Sequence, residues 1–438
     1  MRSTLTTPKP ASRIPNTFRA LRHYNYRVWF AGQTISLSGT WMQTMAQQVL
    51  VYRLTGSAAA LGLISFIGLI PLIPFSLWGG SLTDRFPKRD VILWAQVVMM
   101  AQALLLSWLT WSGRVQVWHI YALSLLLAAV NAVDLPARQA FTVDMVEGKE
   151  DLTNAIGLNS AMFNLARALG PALAGLVVAA IGEGPAFFFN ALTFVPVILA
   201  LLSMRNLPQS SRPPQTHSTV HHILEGLRYV ISKPVQLLLM SLVAVSAFLS
   251  MPYNTLMPVF AQDVLSESAQ PVIARVCEGP ARLFSCQSPQ ALPLGMLLTA
   301  VGVGAVLGAL FVASLPAESH RGRWLTLGNL GFPLALLFVA VSRSFLFSLF
   351  MMMAAGWMFV LQNALANTLI QMTAPDEVRG RVMGFYTMTI QAFMRLGALQ
   401  AGYVADWIGA PLALGAGALL SLLYGGWVAL FKPVIRRL

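Results

Sequence analysis

Apolar positions along this chain do not alternate with polar ones. They run in long blocks separated by shorter polar stretches. Twelve blocks are visible, at about residues 28–52, 57–79, 90–112, 117–138, 155–181, 184–204, 236–260, 292–314, 324–342, 345–372, 380–408 and 410–431. A helix needs about 20 residues to cross the hydrocarbon of a bilayer. Helices also satisfy their own backbone hydrogen bonds where water is absent. The pattern therefore predicts an all-α polytopic membrane protein with twelve transmembrane helices. Composition agrees, with 56% hydrophobic and only 10% charged residues in a chain of 438.

Residues 205–235 are the main break in composition. The stretch RNLPQSSRPPQTHSTVHH predicts a flexible linker with six blocks on either side. The expected organisation is a basic N-terminal tail (1–27), a first six-helix bundle (28–204), the linker (205–235), a second six-helix bundle (236–432) and a short tail (433–438). The halves repeat each other locally. Leu169-Gly170-Pro171-Ala172-Leu173-Ala174-Gly175 in the fifth block parallels Leu396-Gly397-Ala398-Leu399-Gln400-Ala401-Gly402 in the eleventh. An arginine, Arg167 or Arg395, precedes each copy, and Gly62 and Gly295 hold matching places in the second and eighth blocks. Such repeats predict two pseudo-symmetric bundles facing each other across a central site. Proline pairs, Pro71/Pro74 and Pro252/Pro258, interrupt the second and seventh blocks, where they kink a helix and suit a gate or a cavity wall.

The net charge of +13 invites a nucleic-acid reading, but its distribution argues against one. Twenty-two of the 29 Lys/Arg fall in the tails and in the loops on the same side; five, Arg53, Arg114, Arg275, Arg282 and Arg343, fall on the other. By the positive-inside bias both termini are cytoplasmic, and the excess charge favours anionic lipid headgroups. The expected setting is a cytoplasmic (inner) membrane, with the bilayer and a small molecule as partners. No cleavable signal peptide is visible. Cys277 and Cys286 both fall in the predicted outer loop 261–291, where they either close a small ring on an oxidising face or stay as two thiols. His217, His221 and His222 have a spacing open to metal, but a solvated loop without one is the expected state.

Between the second and third blocks lies Gly80-Ser81-Leu82-Thr83-Asp84-Arg85-Phe86-Pro87-Lys88-Arg89. This short charged clasp turns one helix back into the next, and its acid and bases can form ion pairs that hold a moving bundle in one state. It is similar to the signature loop of the major facilitator superfamily, with Thr83 and Pro87 departing from the usual Ala and Gly. Asp134-Leu135-Pro136-Ala137-Arg138-Gln139, followed by Asn154 and Asn159-Ser160, and Pro375-Asp376-Glu377-Val378-Arg379-Gly380-Arg381 resemble its drug-antiporter and transmembrane-secretion-effector branch, which includes macrolide and siderophore exporters. The run Gly157, Ala166, Gly170, Pro171, Ala174, Gly175 resembles the glycine–proline motif of proton antiporters. With Gly397 and Gly402, these small residues suit close helix packing. The resemblance implies the superfamily's twelve-helix fold, alternating access, export rather than import, and proton coupling, in a chain expected to act as a monomer.

Chemistry inside the blocks narrows the candidates. Arg167 and Arg395 stand near mid-span, where a cation is costly and must face the bundle interior or water. They either attract an anionic or polyhydroxylated ligand or lock the bundle. Polar residues Gln43, Gln47, Asn131, Tyr253, Asn254, Gln362, Asn363 and Asn367 mark a possible substrate cavity, with Trp41, Trp357 and Phe359 as aromatic surface. None of the sixteen Asp/Glu stands at a span centre. Asp134 and Asp84 are the candidates for proton coupling, with Arg138, Arg85, Arg379 and Arg381 as ion-pair partners. A phosphate-binding loop of the G-x-x-x-x-G-K-[ST] type is lacking, and no His–acid cluster falls within a block. An ATPase, a membrane-embedded enzyme and a cofactor or metal site are accordingly not expected.

Overall fold

The computed structural model describes residues 16–71, 86–205, 207, 219–278, 286–316 and 320–437. The first bundle is built from α1 (Tyr24–Thr55), α2 (Ala58–Ile67), α3 (Lys88–Trp111), α4 (Val117–Met145), α5 (Lys149–Ile181) and α6 (Glu183–Ser203). A linker helix, α7 (Thr219–Ser232), leads into the second. There the seventh span is divided into α8 (Pro234–Leu249) and α9 (Tyr253–Val259), and is followed by α10 (Ser266–Cys277). The bundle is completed by α11 (Ala291–Ser314), α12 (Arg321–Val341), α13 (Phe345–Thr373), α14 (Asp376–Ile408) and α15 (Ala410–Phe431). Among the described residues nine helices are long and apolar enough to cross a membrane. The 32-residue α1 and the 33-residue α14 are long enough but more polar. Residues 72–85 in the second block lie outside the described residues.

The sequence repeat becomes a repeated contact. The bundles meet along two helix pairs, α5 with α11 and α2 with α14. A β-carbon on Gly295 would lie 2.9 Å from the Pro171 carbonyl oxygen, and one on Gly62 would lie 2.5 Å from the Ala398 carbonyl oxygen. Gly175 packs on Gly295 and Ala291 as Gly402 packs on Ala58 and Ala59. Gly170 and Gly397 face the other way in both copies, against Trp41 and Ser38 of α1 and against Phe248 of α8. Small residues let these backbones touch. Gly157, at the far end of the same motif, meets nothing within 4 Å and packs no helix.

The start of α1 and the end of α15 lie on one face, the terminal face. Away from it, a single apolar cluster joins the bundles, from Met45 and Leu50 through Leu256 and Phe260 to Leu294 and Phe345. Near the terminal face the apolar packing divides. Tyr26, Trp29, Phe141 and Leu201 cluster within the first bundle, while Leu239, Leu325, Leu369 and Val382 cluster within the second. Gly157 of α5 and Gly380 and Gly384 of α14 are exposed and face open space. Among the described residues the two bundles therefore pack together at the face opposite the terminal one, called the outer face after the charge bias, and part toward the terminal face.

Three connections are more ordered than composition suggests. Residues 219–232, within the expected flexible linker, form α7, whose Gly226 sits against the Arg381 backbone of α14. Composition alone could not anticipate this docking surface. In the outer loop, Ser266–Cys277 is helical and a disulfide links Cys277 to Cys286. In the N-terminal tail, a short helix at Asn16–Arg22 is fixed to the start of α5: Arg19 pairs with Glu150 and Asp151, Arg22 with Asp151, and Asn154 accepts from the Ala20 amide at 2.9 Å.

Candidate functional site

The outer seal is polar at its rim. Tyr52, at the end of α1, donates to Asp263, just beyond α9. Asp406, near the end of α14, takes donors from the start of α2: the Ser57 hydroxyl at 2.5 Å, the Ala58 amide at 2.6 Å and the Ala59 amide at 3.1 Å. A carboxylate from the second bundle thus caps a helix of the first, satisfying amides that a helix start leaves free and meeting its positive end. Tyr52, Ser57, Asp263 and Asp406 were not among the expected site residues. One signal was present in the sequence: Asp406 stands four residues after Gly402, on the same face of the helix.

Beneath the seal stand Arg167 and Arg395. Leu169 repeats as Leu396, so Arg167 corresponds to Met394 and Arg395 to Ala168. One residue turns a helix by about 100°, and the two guanidiniums leave their helices in different directions. Arg167 crosses to the second bundle, its Cζ 5.6 Å from the Phe359 ring centre. Arg395 crosses to the first, its side chain 3.4 Å from where Gly68 would carry a β-carbon. Nε and Nη2 of Arg167 and Nη1 of Arg395 are buried without a hydrogen-bond partner among the described residues. Tyr253 is buried beside the break in the seventh span and meets Phe332 edge-on, while its neighbour Asn254 is exposed. Trp41 and Phe163 pair edge-on at 5.8 Å one turn from Arg167.

All three glutamines expected in the cavity are instead inside a bundle. Gln43 donates to Gln102 at 3.1 Å and accepts from Asn190 at 2.6 Å, and Gln47 donates to Ser124 at 2.7 Å. Gln362 donates to Asn329 at 2.8 Å and accepts from Ser246 at 3.1 Å. These side chains are buried, and their bonds tie helices of one bundle together. Asn131 and Asn363 bond to carbonyls of their own helices, and Asn367 accepts from Gln371. All three remain half-buried.

The charged candidates pair within their own bundle or, for Arg381, with the linker helix. Asp134 is fully buried, paired with Arg138 one turn on and bonded by Gln96 of α3 at 3.3 Å. Lys88 pairs with Asp144 at 2.7 Å, and Arg89 reaches the Leu202 carbonyl at 3.4 Å. Arg381 pairs with Glu225 of α7 at 3.1 Å, and Arg379 with Asp376 at 2.5 Å. Neither meets Asp134. Gly80, Asp84 and Arg85 of the clasp, and the side chains of His217, His221 and His222, lie outside the described residues.

Two pseudo-symmetric bundles around a cleft that is sealed at one face define a membrane transporter of small molecules. The chain belongs to the transmembrane secretion effector family of the major facilitator superfamily, which matches residues 15–272 and 285–436. It is similar to the multidrug efflux pump Tap of Mycolicibacterium fortuitum, at 26% identity over 94% of this chain and 96% of that one. It is also similar to the enterobactin exporter EntS of Shigella flexneri, at 24% identity over 91% and 86%. The nucleoside transporter NupG has the same fold, with a TM-score of 0.66 at 14% identity over 96% of this chain and 100% of that one. The chain is a multi-pass membrane transporter of the efflux type.

Proposed function

We propose that this protein exports small amphipathic compounds, of the drug, macrolide or siderophore kind, across the cytoplasmic membrane by proton-coupled alternating access. The observation that carries this reading is the cleft itself, sealed at one rim by contacts between bundles and open at the other, with two mid-span arginines at its apex. The positive-inside bias makes the terminal face cytoplasmic, so the cleft opens to the cytosol and loads there. The halves 28–204 and 236–432 then rock about the α5–α11 and α2–α14 pairs as a monomer. The seal at Tyr52–Asp263 and Asp406 breaks, and the clasp residues Asp84, Arg85 and Arg89 latch the cytosolic side in the outward-open state. Arg167, Arg395, Tyr253, Asn254, Asn131, Asn363 and Asn367 are the substrate-facing groups; Gln43, Gln47 and Gln362 hold the bundle walls.

Proton coupling needs a carboxylate whose surroundings change between states. Asp134 is the candidate for that carboxylate: it is buried and paired with Arg138 and Gln96 inside its own bundle, and its protonation would release Arg138. The test is efflux of a panel of fluorescent amphipaths from inverted vesicles under an imposed pH gradient. Wild-type protein is expected to drive flux that saturates and collapses with the gradient. Asp134→Asn is expected to insert normally, lose gradient-driven flux and keep exchange down a substrate gradient. Full gradient-driven flux in Asp134→Asn removes the coupling role.

A further inference from the structure

We propose that α7 is an interfacial helix whose outward face docks on anionic phospholipid at the terminal face, so that a lipid surface grips the start of α14. The inference goes beyond the export reading and does not depend on it. One side of α7 is fixed to the second bundle. Val230 is buried in a cluster with Leu239, Val382 and Tyr386, Gly226 lies against the Arg381 backbone, and Glu225 pairs with Arg381 at 3.1 Å. The opposite side has no cover among the described residues. Leu224, Arg228 and Ile231 follow one another at i, i+4 and i+7, which makes them one stripe of the helix, and all three are exposed. Leu224 is 55% exposed and Ile231 59%. Large apolar side chains exposed together on one face mark a surface that another apolar medium covers.

The position and charge of α7 identify that medium. The helix ends at Ser232, and the apolar span that enters the hydrocarbon begins at Pro234. The end of α7 is therefore within about one helical turn of the bilayer surface. Leu237, in the first turn of that span, is exposed as well. Arg228 stands between the two apolar residues of the stripe, Lys233 follows the helix, and both are exposed. The one acid of α7, Glu225, is turned to Arg381, so it does not oppose them. Apolar side chains around a cation match the boundary between acyl chains and headgroups. The alkyl groups enter the upper hydrocarbon while the long basic side chains reach the phosphates. Because Glu225 and Gly226 hold Arg381, lipid bound to α7 fixes the first turns of α14, one of the helices along which the bundles meet.

The test puts a fluorophore on the stripe of the full-length protein. The native cysteines are bonded to each other, so Ile231→Cys alone takes an NBD label. The protein is reconstituted in phosphatidylcholine vesicles containing a small fraction of phosphatidylglycerol or of phosphatidylcholine with a nitroxide near the top of one acyl chain. Both nitroxide lipids are expected to quench the label, the anionic one at about one fifth of the concentration that the zwitterionic one needs, the size of one basic residue at an anionic surface. Adding Arg228→Gln and Lys233→Gln is expected to bring the two lipids to equal effect. A label at Leu423→Cys, exposed on α15, is expected to respond alike to both lipids in every variant, which reports that each variant is inserted. Quenching of the Ile231→Cys label by iodide on both sides of the membrane, with none by either lipid, puts the stripe in water and overturns the proposal. Protection from lipid and iodide together makes the stripe a contact with a second copy or another segment of this chain, and overturns it equally. Lipid quenching without headgroup preference, or a preference that survives the loss of both cations, overturns the anionic docking.

Discussion

Asp406 does more with one side chain than any other residue at the outer rim. It accepts from a hydroxyl and two backbone amides of a helix in the opposite bundle. Those bonds exist only while the outer face is shut. Losing a helix cap costs about 1 kcal/mol, which is about a fivefold change in an equilibrium. Asp406→Ala should therefore raise the outward-open population about fivefold. Spin labels at Arg114 and Arg275, exposed on the outer side of opposite bundles, report it as growth of the longer distance; an unchanged distribution rejects the lock. The residue scale is also where the sequence was least legible. A glutamine in an apolar helix can face a cavity or a neighbouring helix, and either choice satisfies its amide. Gln43, Gln47 and Gln362 chose neighbours. Arg167 and Arg395 stood out because no such choice hides a charge in lipid, but the one-residue offset between them, and with it their different directions, emerges only from aligning the repeat on Leu169 and Leu396.

Elements were more legible, because the length and polarity of a membrane helix are dictated by the bilayer. The expected block 410–431 coincides with α15, and 345–372 differs from α13 by one residue at its end. The seventh block was read as one kinked span. Its backbone instead turns at Ser250–Pro252, between α8 and α9, since Pro252 cannot continue the hydrogen-bond ladder. The connections hid the most, because their helices are short and amphipathic and are fixed by partners distant in sequence. For α10 the fixing device is covalent: the disulfide spans nine positions and holds the end of the helix beside the chain that enters α11. Cross-linking a ring of this size stabilises by about 2–3 kcal/mol through the unfolded chain. The double variant Cys277→Ser, Cys286→Ser should therefore unfold at a lower temperature, matching wild type in reductant, and should transport at close to the wild-type rate at 25 °C. Loss of transport with unchanged stability would instead make this loop part of the gate.

For the whole molecule, the legible feature was the repeat, and the illegible one was the state. Both conformations of an alternating transporter use the same residues and the same small-residue contacts, so a sequence cannot say which face is open. Packing can. The outer half shares one apolar cluster between bundles, while the terminal half has one in each. Asp406 bridges the bundles at one end of the α2–α14 pair, and the apolar packing divides toward the other. This predicts a pattern of labelling. Cysteines at Gly157 and Gly384 have open space around them and the native cysteines are bonded to each other. A membrane-impermeant maleimide should modify Gly157→Cys and Gly384→Cys readily in inverted vesicles and far more slowly in right-side-out cells. Asp406→Ala should slow both reactions, because it shifts molecules toward the state in which the terminal face closes. Faster labelling from outside the cell would reverse the orientation. Rates unmoved by Asp406→Ala would uncouple the two faces, and rocking of two bundles about the α5–α11 and α2–α14 pairs would fail with them.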